Sequence, residues 1–121
     1  MEKLVLTSQL RAGLMAHELW RSGLISAVLT GRGLVRPAEA GRDDACDFGR
    51  WLARLGDLPE VPQVAAVREL HARFHREAAE VLELATTGRR PEATRAVGPG
   101  SRFDEAALKL GAAVKDWIAA L

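Results

Sequence analysis

Apolar residues recur along this chain at steps of three and four and nowhere alternate for the length of a strand, so the pattern predicts helices joined by loops. The clearest segment runs from Val61-Pro62 to about Thr87. At about 100° per residue, Val64, Val67, Phe74, Ala78 and Leu82 share one face, proline is tolerated in the first turn, and Gly88 ends the run. The last segment, from Ser101 or Arg102 to Leu121, repeats Phe103, Ala107, Leu110, Val114, Trp117 and Leu121 at alternating steps of four and three, the spacing of a bundle seam. A first helix is expected from Ser8, a candidate N-cap, to about Leu29, with Leu10, Leu14, Leu24 and Val28 in one stripe and Trp20 at its edge. Leu4, Met15, Leu19 and Leu29 form a second apolar arc, more than one four-helix core needs, which predicts contact with a second copy.

A shorter helix is expected from Asp43-Asp44, acidic residues suited to capping, to about Leu55, before Gly56 and Pro59 stop it. Phe48, Trp51, Leu52 and Leu55 make its main apolar face. Cys46 falls outside that face, about 200° from Phe48 on a regular helix. Either the first turn is irregular, or the side holding Cys46, Gly49 and Ala53 is also buried. Thr30 to Arg42 and Gly88 to Ser101 are rich in glycine and proline and read as connections. The expected fold is all-α: an antiparallel four-helix bundle, one domain over residues 1–121, paired as a homodimer.

Composition narrows the function. Lys and Arg number 17 against 16 Asp and Glu, a net charge of +1, which gives no electrostatic footprint for nucleic acid or an anionic membrane. No apolar run approaches the length of a membrane span, and Met1-Glu2-Lys3-Leu4 lacks a signal core, so a cytoplasmic protein is expected. One cysteine cannot form an internal disulfide and suits a reducing compartment.

The candidate chemistry sits on the buried faces. His71 and His75, four apart, lie on the same side as Val64, Val67, Phe74, Ala78 and Leu82, and His17 lies inside the stripe of the first helix. A buried neutral imidazole needs a partner for each ring nitrogen, and any one of these histidines alone also fits a hydrogen-bonded core residue. Taken with Cys46, they make three imidazoles and one thiolate, a set suited to tetrahedral zinc, with copper and nickel as competitors. With all four positions filled by protein, such a site is structural or regulatory. Asp43 or Asp44 could orient a ligand histidine, though helix capping is the commoner role. Glu18, Glu69 and Glu77 adjoin the histidines in sequence but not on the same face, which argues against a carboxylate-bridged di-iron or hydrolase site. Trp20 and Trp51 read as packing residues.

Three segments, His17-Glu18-Leu19-Trp20-Arg21, Asp44-Ala45-Cys46-Asp47-Phe48-Gly49-Arg50-Trp51-Leu52 and His71-Ala72-Arg73-Phe74-His75, together resemble the chemoreceptor zinc-binding (CZB) domain. That family carries a histidine followed three residues later by tryptophan, a C-x-[FL]-G-x-W-L run and an H-x-x-[FV]-H pair in this order. The likeness covers roughly His17 to Ala85. It implies a four-helix bundle, usually homodimeric, in bacterial chemoreceptors, diguanylate cyclases and other signalling proteins. It also implies that His17, Cys46, His71 and His75 ligate zinc and that Cys46 responds to hypochlorous acid or the site to zinc supply. Neither a methyl-accepting hairpin nor a GGDEF region is present, so output would pass through a dimer rearrangement or a separate partner, unless the chain is an excised fragment.

Overall fold

In a computed structural model, which describes residues 2–56, 58 and 61–121, the chain is all-helical: 79% helix and, among the described residues, no strand. The elements are α1 (Lys3–Thr30), α2 (Pro37–Ala40), α3 (Asp47–Leu55), α4 (Pro62–Thr86), α5 (Arg90–Ala96) and α6 (Arg102–Ala120). The four helices read from periodicity are present, but among the described residues the count of four is corrected to six. The short α2 and α5 lie inside the segments expected to be loops. Pro37 and Pro91, which resemble loop punctuation, stand in the first turns of these helices, where a missing N–H costs nothing.

Two starts also move. α1 begins at Lys3, not after Ser8, because nothing from Lys3 to Thr7 breaks a helix; Glu2 takes the N-cap position without a side-chain bond. α3 begins at Asp47, and its cap is Cys46 rather than Asp43 or Asp44: the Cys46 sulfur accepts the Gly49 N–H at 3.3 Å. The odd angular position of Cys46 thus comes from its lying outside the helix. The expected stop at Pro59 lies outside the described residues.

α4 is the hub, touching α2, α3, α5 and α6, while α1 packs on α3, α5 and α6. The predicted face of α4 is buried throughout, and Leu10, Val28, Phe103, Val114 and Trp117 complete the centre. Two aromatic files frame it. Phe48, Trp51 and Trp117 follow one another at ring separations of 5.7 and 6.1 Å, and Trp20, Phe74 and Phe103 at 5.6 and 5.5 Å. Glu77, a buried carboxylate, faces α6 and pairs with Arg102 at 3.0 Å, which gives it a structural partner. Arg21 of α1 pairs with Asp104 of α6.

Ser101 caps α6 by accepting the Asp104 N–H at 3.1 Å, while Asp104 accepts the Gly100 N–H at 2.9 Å. Ser101→Ala is therefore expected to cost about 1 kcal/mol, read as a lower midpoint in urea with an unchanged slope. Leu4, Met15, Leu19 and Leu29, the second arc of α1, are between 53% and 73% exposed, so the core does not use them. Among the described residues no helix is long and apolar enough to cross a membrane.

Candidate metal centre

α4 sets His71 and His75 one turn apart on its inner face, 1% and 5% exposed. α1 brings His17 against them, half-buried. It can approach because the residue one turn earlier is Gly13: the Phe48 ring lies over its Cα, and a Cβ there would meet Phe48 Cδ1 at 2.3 Å. The fourth group, Cys46, arrives on the turn before α3. That turn folds back so tightly that the Asp43 carbonyl oxygen would stand 1.6 Å from a Cβ on Gly49, a position only glycine satisfies.

These four residues converge, with one ligand atom from each lying within 4.8 Å of all the others. The Nε2 atoms of His17 and His75 are each 3.1 Å from Nε2 of His71. The Cys46 Sγ is 3.2 Å from Nε2 of His71, 3.7 Å from that of His75 and 3.9 Å from that of His17. Tetrahedral zinc, with nitrogens at about 2.0–2.1 Å and sulfur at about 2.3 Å, separates two nitrogens by about 3.3 Å and nitrogen from sulfur by about 3.6 Å. The sulfur–nitrogen edges bracket their length, and the two nitrogen–nitrogen edges fall slightly short of theirs.

Hydrogen bonding among the four does not account for this arrangement. The Nε2 of His71 has three donor-set atoms within 3.2 Å, yet a ring nitrogen offers one hydrogen or one lone pair. The outer nitrogens sharpen the point. His17 Nδ1 donates to the Gly13 carbonyl at 2.7 Å and His75 Nδ1 to the Ala40 carbonyl at 2.8 Å. A carbonyl can only accept, so Nδ1 carries the hydrogen in both rings, and in the neutral ring Nε2 aims a bare lone pair inward. Lone pairs converging in a protein interior call for a cation.

Electrostatics agrees. Burial pushes the His71 imidazole down to about 3, with the neighbouring His75 and His17 adding to the effect, and burial likewise lowers His17 and His75. The rings are therefore neutral and free to ligate at neutral pH. Burial also pushes the Cys46 thiol up, against the lowering effect of the Gly49 and Phe48 N–H groups, so a bound dication is what would hold it as thiolate. Imidazole with soft sulfur suits zinc and disfavours magnesium and calcium.

All four expected ligand residues are thus brought together, and no carboxylate joins them among the described residues. The outer hydrogen bonds of His17 and His75 go to backbone carbonyls rather than to Asp43 or Asp44, and the exposed Asp44 carboxylate is held by Arg42 at 3.2 Å. Asp43 contributes its carbonyl, 3.6 Å from Sγ, and its residue lines a small recess with His71. Sequence reasoning missed Gly13 and the reason for Gly49. A glycine one turn before His17 in an otherwise unbroken helix was the available signal for the first.

Fold and site together define a helical metal-binding domain with a three-histidine, one-cysteine centre. Residues 17–82 match the model of the CZB family, the chemoreceptor zinc-binding domain, and the chain belongs to that family. No curated protein and no solved structure matches the chain at a significant level.

Proposed function

We propose that this chain is a zinc-dependent sensory domain of bacterial signal transduction in which His17, Cys46, His71 and His75 are the ligands and Cys46 is the changeable one. The observation that carries the reading is the convergence of three neutral imidazoles and one thiol, with the ring hydrogens of His17 and His75 held outward by backbone carbonyls. A bound zinc ion would supply charge that keeps Sγ as thiolate, the nucleophilic form. With hypochlorous acid, the thiolate sulfur takes the chlorine and hydroxide departs. Water then displaces chloride, leaving a sulfenic acid; sulfur has lost two electrons and chlorine has gained them.

Sulfenic acid is a poorer donor, and Cys46 is also the cap of α3, so its release frees the turn from Asp43 to Asp47 while three histidines remain. We assign zinc availability as the other candidate signal. Asp43, beside His71, is proposed as an outer hydrogen-bond partner. We further propose that α1, α3, α4 and α6 act as an antiparallel bundle in the cytoplasm. In this reading two copies pair through Leu4, Met15, Leu19 and Leu29, and a rearrangement of that pair or a separate signalling protein carries the output.

A second reading is a zinc-stabilised dimerisation module without sensing; a centre whose four positions are all filled by protein favours it. The test is zinc content and helix content before and after stepwise hypochlorous acid, beside a Cys46→Ala variant. A sensor forms sulfenic acid at near-stoichiometric oxidant with a change in helix packing, and the variant is silent. An unmodified Cys46 and an unchanged spectrum would leave only the structural module.

A further inference from the structure

The four donors are not equally sheltered. His71 and His75 are 1% and 5% exposed, whereas Cys46 and His17 are half-buried and, together with His75, line a cleft of about 460 Å³ between α1 and the start of α3. Gln9, Ala12, Ala16, Trp20, Asp47 and Phe48 form its walls, and Cys46 lies among them. A second recess on the far side, beside Val35, Glu39 and Ala45, also reaches Cys46 but holds only about 140 Å³. Trp20 lines both spaces and is the wall between them, its ring 5.8 Å from that of His75.

The larger cleft has a definite chemical character. Ala12 and Ala16 are one turn apart on α1, both exposed, and are the small side chains set between Gln9 and Trp20 on the α1 side of the cleft. Phe48 and Trp20 add apolar wall, Gln9 is polar, and the one carboxylate among the described lining residues is Asp47, already paired with Arg50. We infer that this cleft is the route by which reagents reach Cys46, and that Ala12 and Ala16 set its size limit, admitting small neutral electrophiles and oxidants to the sulfur while turning away bulky ones. The inference deepens the reading of Cys46 as the changeable ligand and assigns residues that regulate access to it.

A larger side chain at either alanine leans toward the preceding turn and so over the cleft, without entering the core. The test compares the protein as purified with Ala12→Phe, Ala16→Phe and Ala45→Phe variants. Each is treated with iodoacetamide and, separately, with a fluorescein-linked iodoacetamide; Sγ bonds to the reagent carbon as iodide leaves. The chain has one cysteine, so the mass shift reports Cys46 alone. The ratio of the two rates is the readout, because a changed thiol acidity moves both rates together whereas a narrowed passage slows the larger reagent first. Ala12→Phe or Ala16→Phe should widen the ratio about tenfold, a barrier change of about 1.4 kcal/mol, with Ala45→Phe unchanged. An unaltered ratio in both α1 variants, or a widened one in Ala45→Phe alone, would overturn the assignment. Zinc content measured on the same samples reports separately on the metal reading, since the passage is read from alkylation whether or not zinc is held.

Discussion

A Gly49→Ala variant is expected to lose Cys46 from the metal centre although all four donors remain in the chain. On helix propensity alone the change should help, since alanine is favoured over glycine inside a helix by about 0.5–1 kcal/mol. Here the sign reverses. The added methyl would lie 1.6 Å from the Asp43 carbonyl oxygen and 3.0 Å from His71 Cε1, and the first obstacle is backbone, which cannot turn aside as a side chain would. The turn from Asp43 to Cys46 must move outward, taking the sulfur with it, at a cost of about 3 kcal/mol. We expect zinc affinity, measured by competition with a coloured chelator, to fall toward that of Cys46→Ala, and the zinc-loaded protein to melt lower. An Arg54→Ala change, in the last turn of α3 at an exposed position, should do neither. A stabilised Gly49→Ala protein with undiminished affinity would show that the turn does not pack as described.

Removing the metal is expected to produce the other large effect. A ligand bound by the native state alone stabilises it by about 4 kcal/mol when its free concentration is a thousandfold above the dissociation constant. For a domain of this size that is a melting-temperature difference of roughly 10–15 °C between zinc-loaded and chelated protein. Cys46→Ala should lower the melting point of the loaded protein by several degrees and leave that of the chelated protein nearly unchanged, because in the absence of a cation the sulfur contributes one weak cap and otherwise adds to a crowd of unpaired donors. Equal losses in both states would assign Cys46 a packing role only.

Much of this was legible in the sequence because the long helices bury one face each. Val64, Val67, His71, Phe74, His75, Ala78 and Leu82 obey the period and are all buried, and Phe103, Leu110, Val114 and Trp117 of α6 do the same. The donors could be read as a group for the same reason: histidine on a buried face is conspicuous. What could not be read was short or carried by the backbone. α2 has four residues and α5 seven, too few for a period to register. Ser8 looked like a cap, but a cap is a matter of backbone angles and no breaker precedes it. Cys46 seemed misplaced because periodicity assumes a residue is already helical, and it is the residue before. The carbonyls of Gly13 and Ala40, which fix two imidazole tautomers, carry no side-chain signal at all.

The resemblance of three short segments to the CZB pattern agreed with the wider family match over residues 17–82, and the geometry supplies its physical content. Gly13 lets α1 and its histidine come close, Gly49 lets the cysteine turn fold back, and two carbonyls hold the rings so that their lone pairs meet.

X-ray absorption at the zinc edge, on protein purified without added metal and beside Cys46→Ala, tests this most directly. The expected result is one zinc per chain with three nitrogens at about 2.0–2.1 Å and one sulfur at about 2.3 Å, the sulfur absent in the variant. A zinc shell of oxygen and nitrogen alone in the unaltered protein, or a sulfur that survives the loss of Cys46, would contradict the four-donor centre.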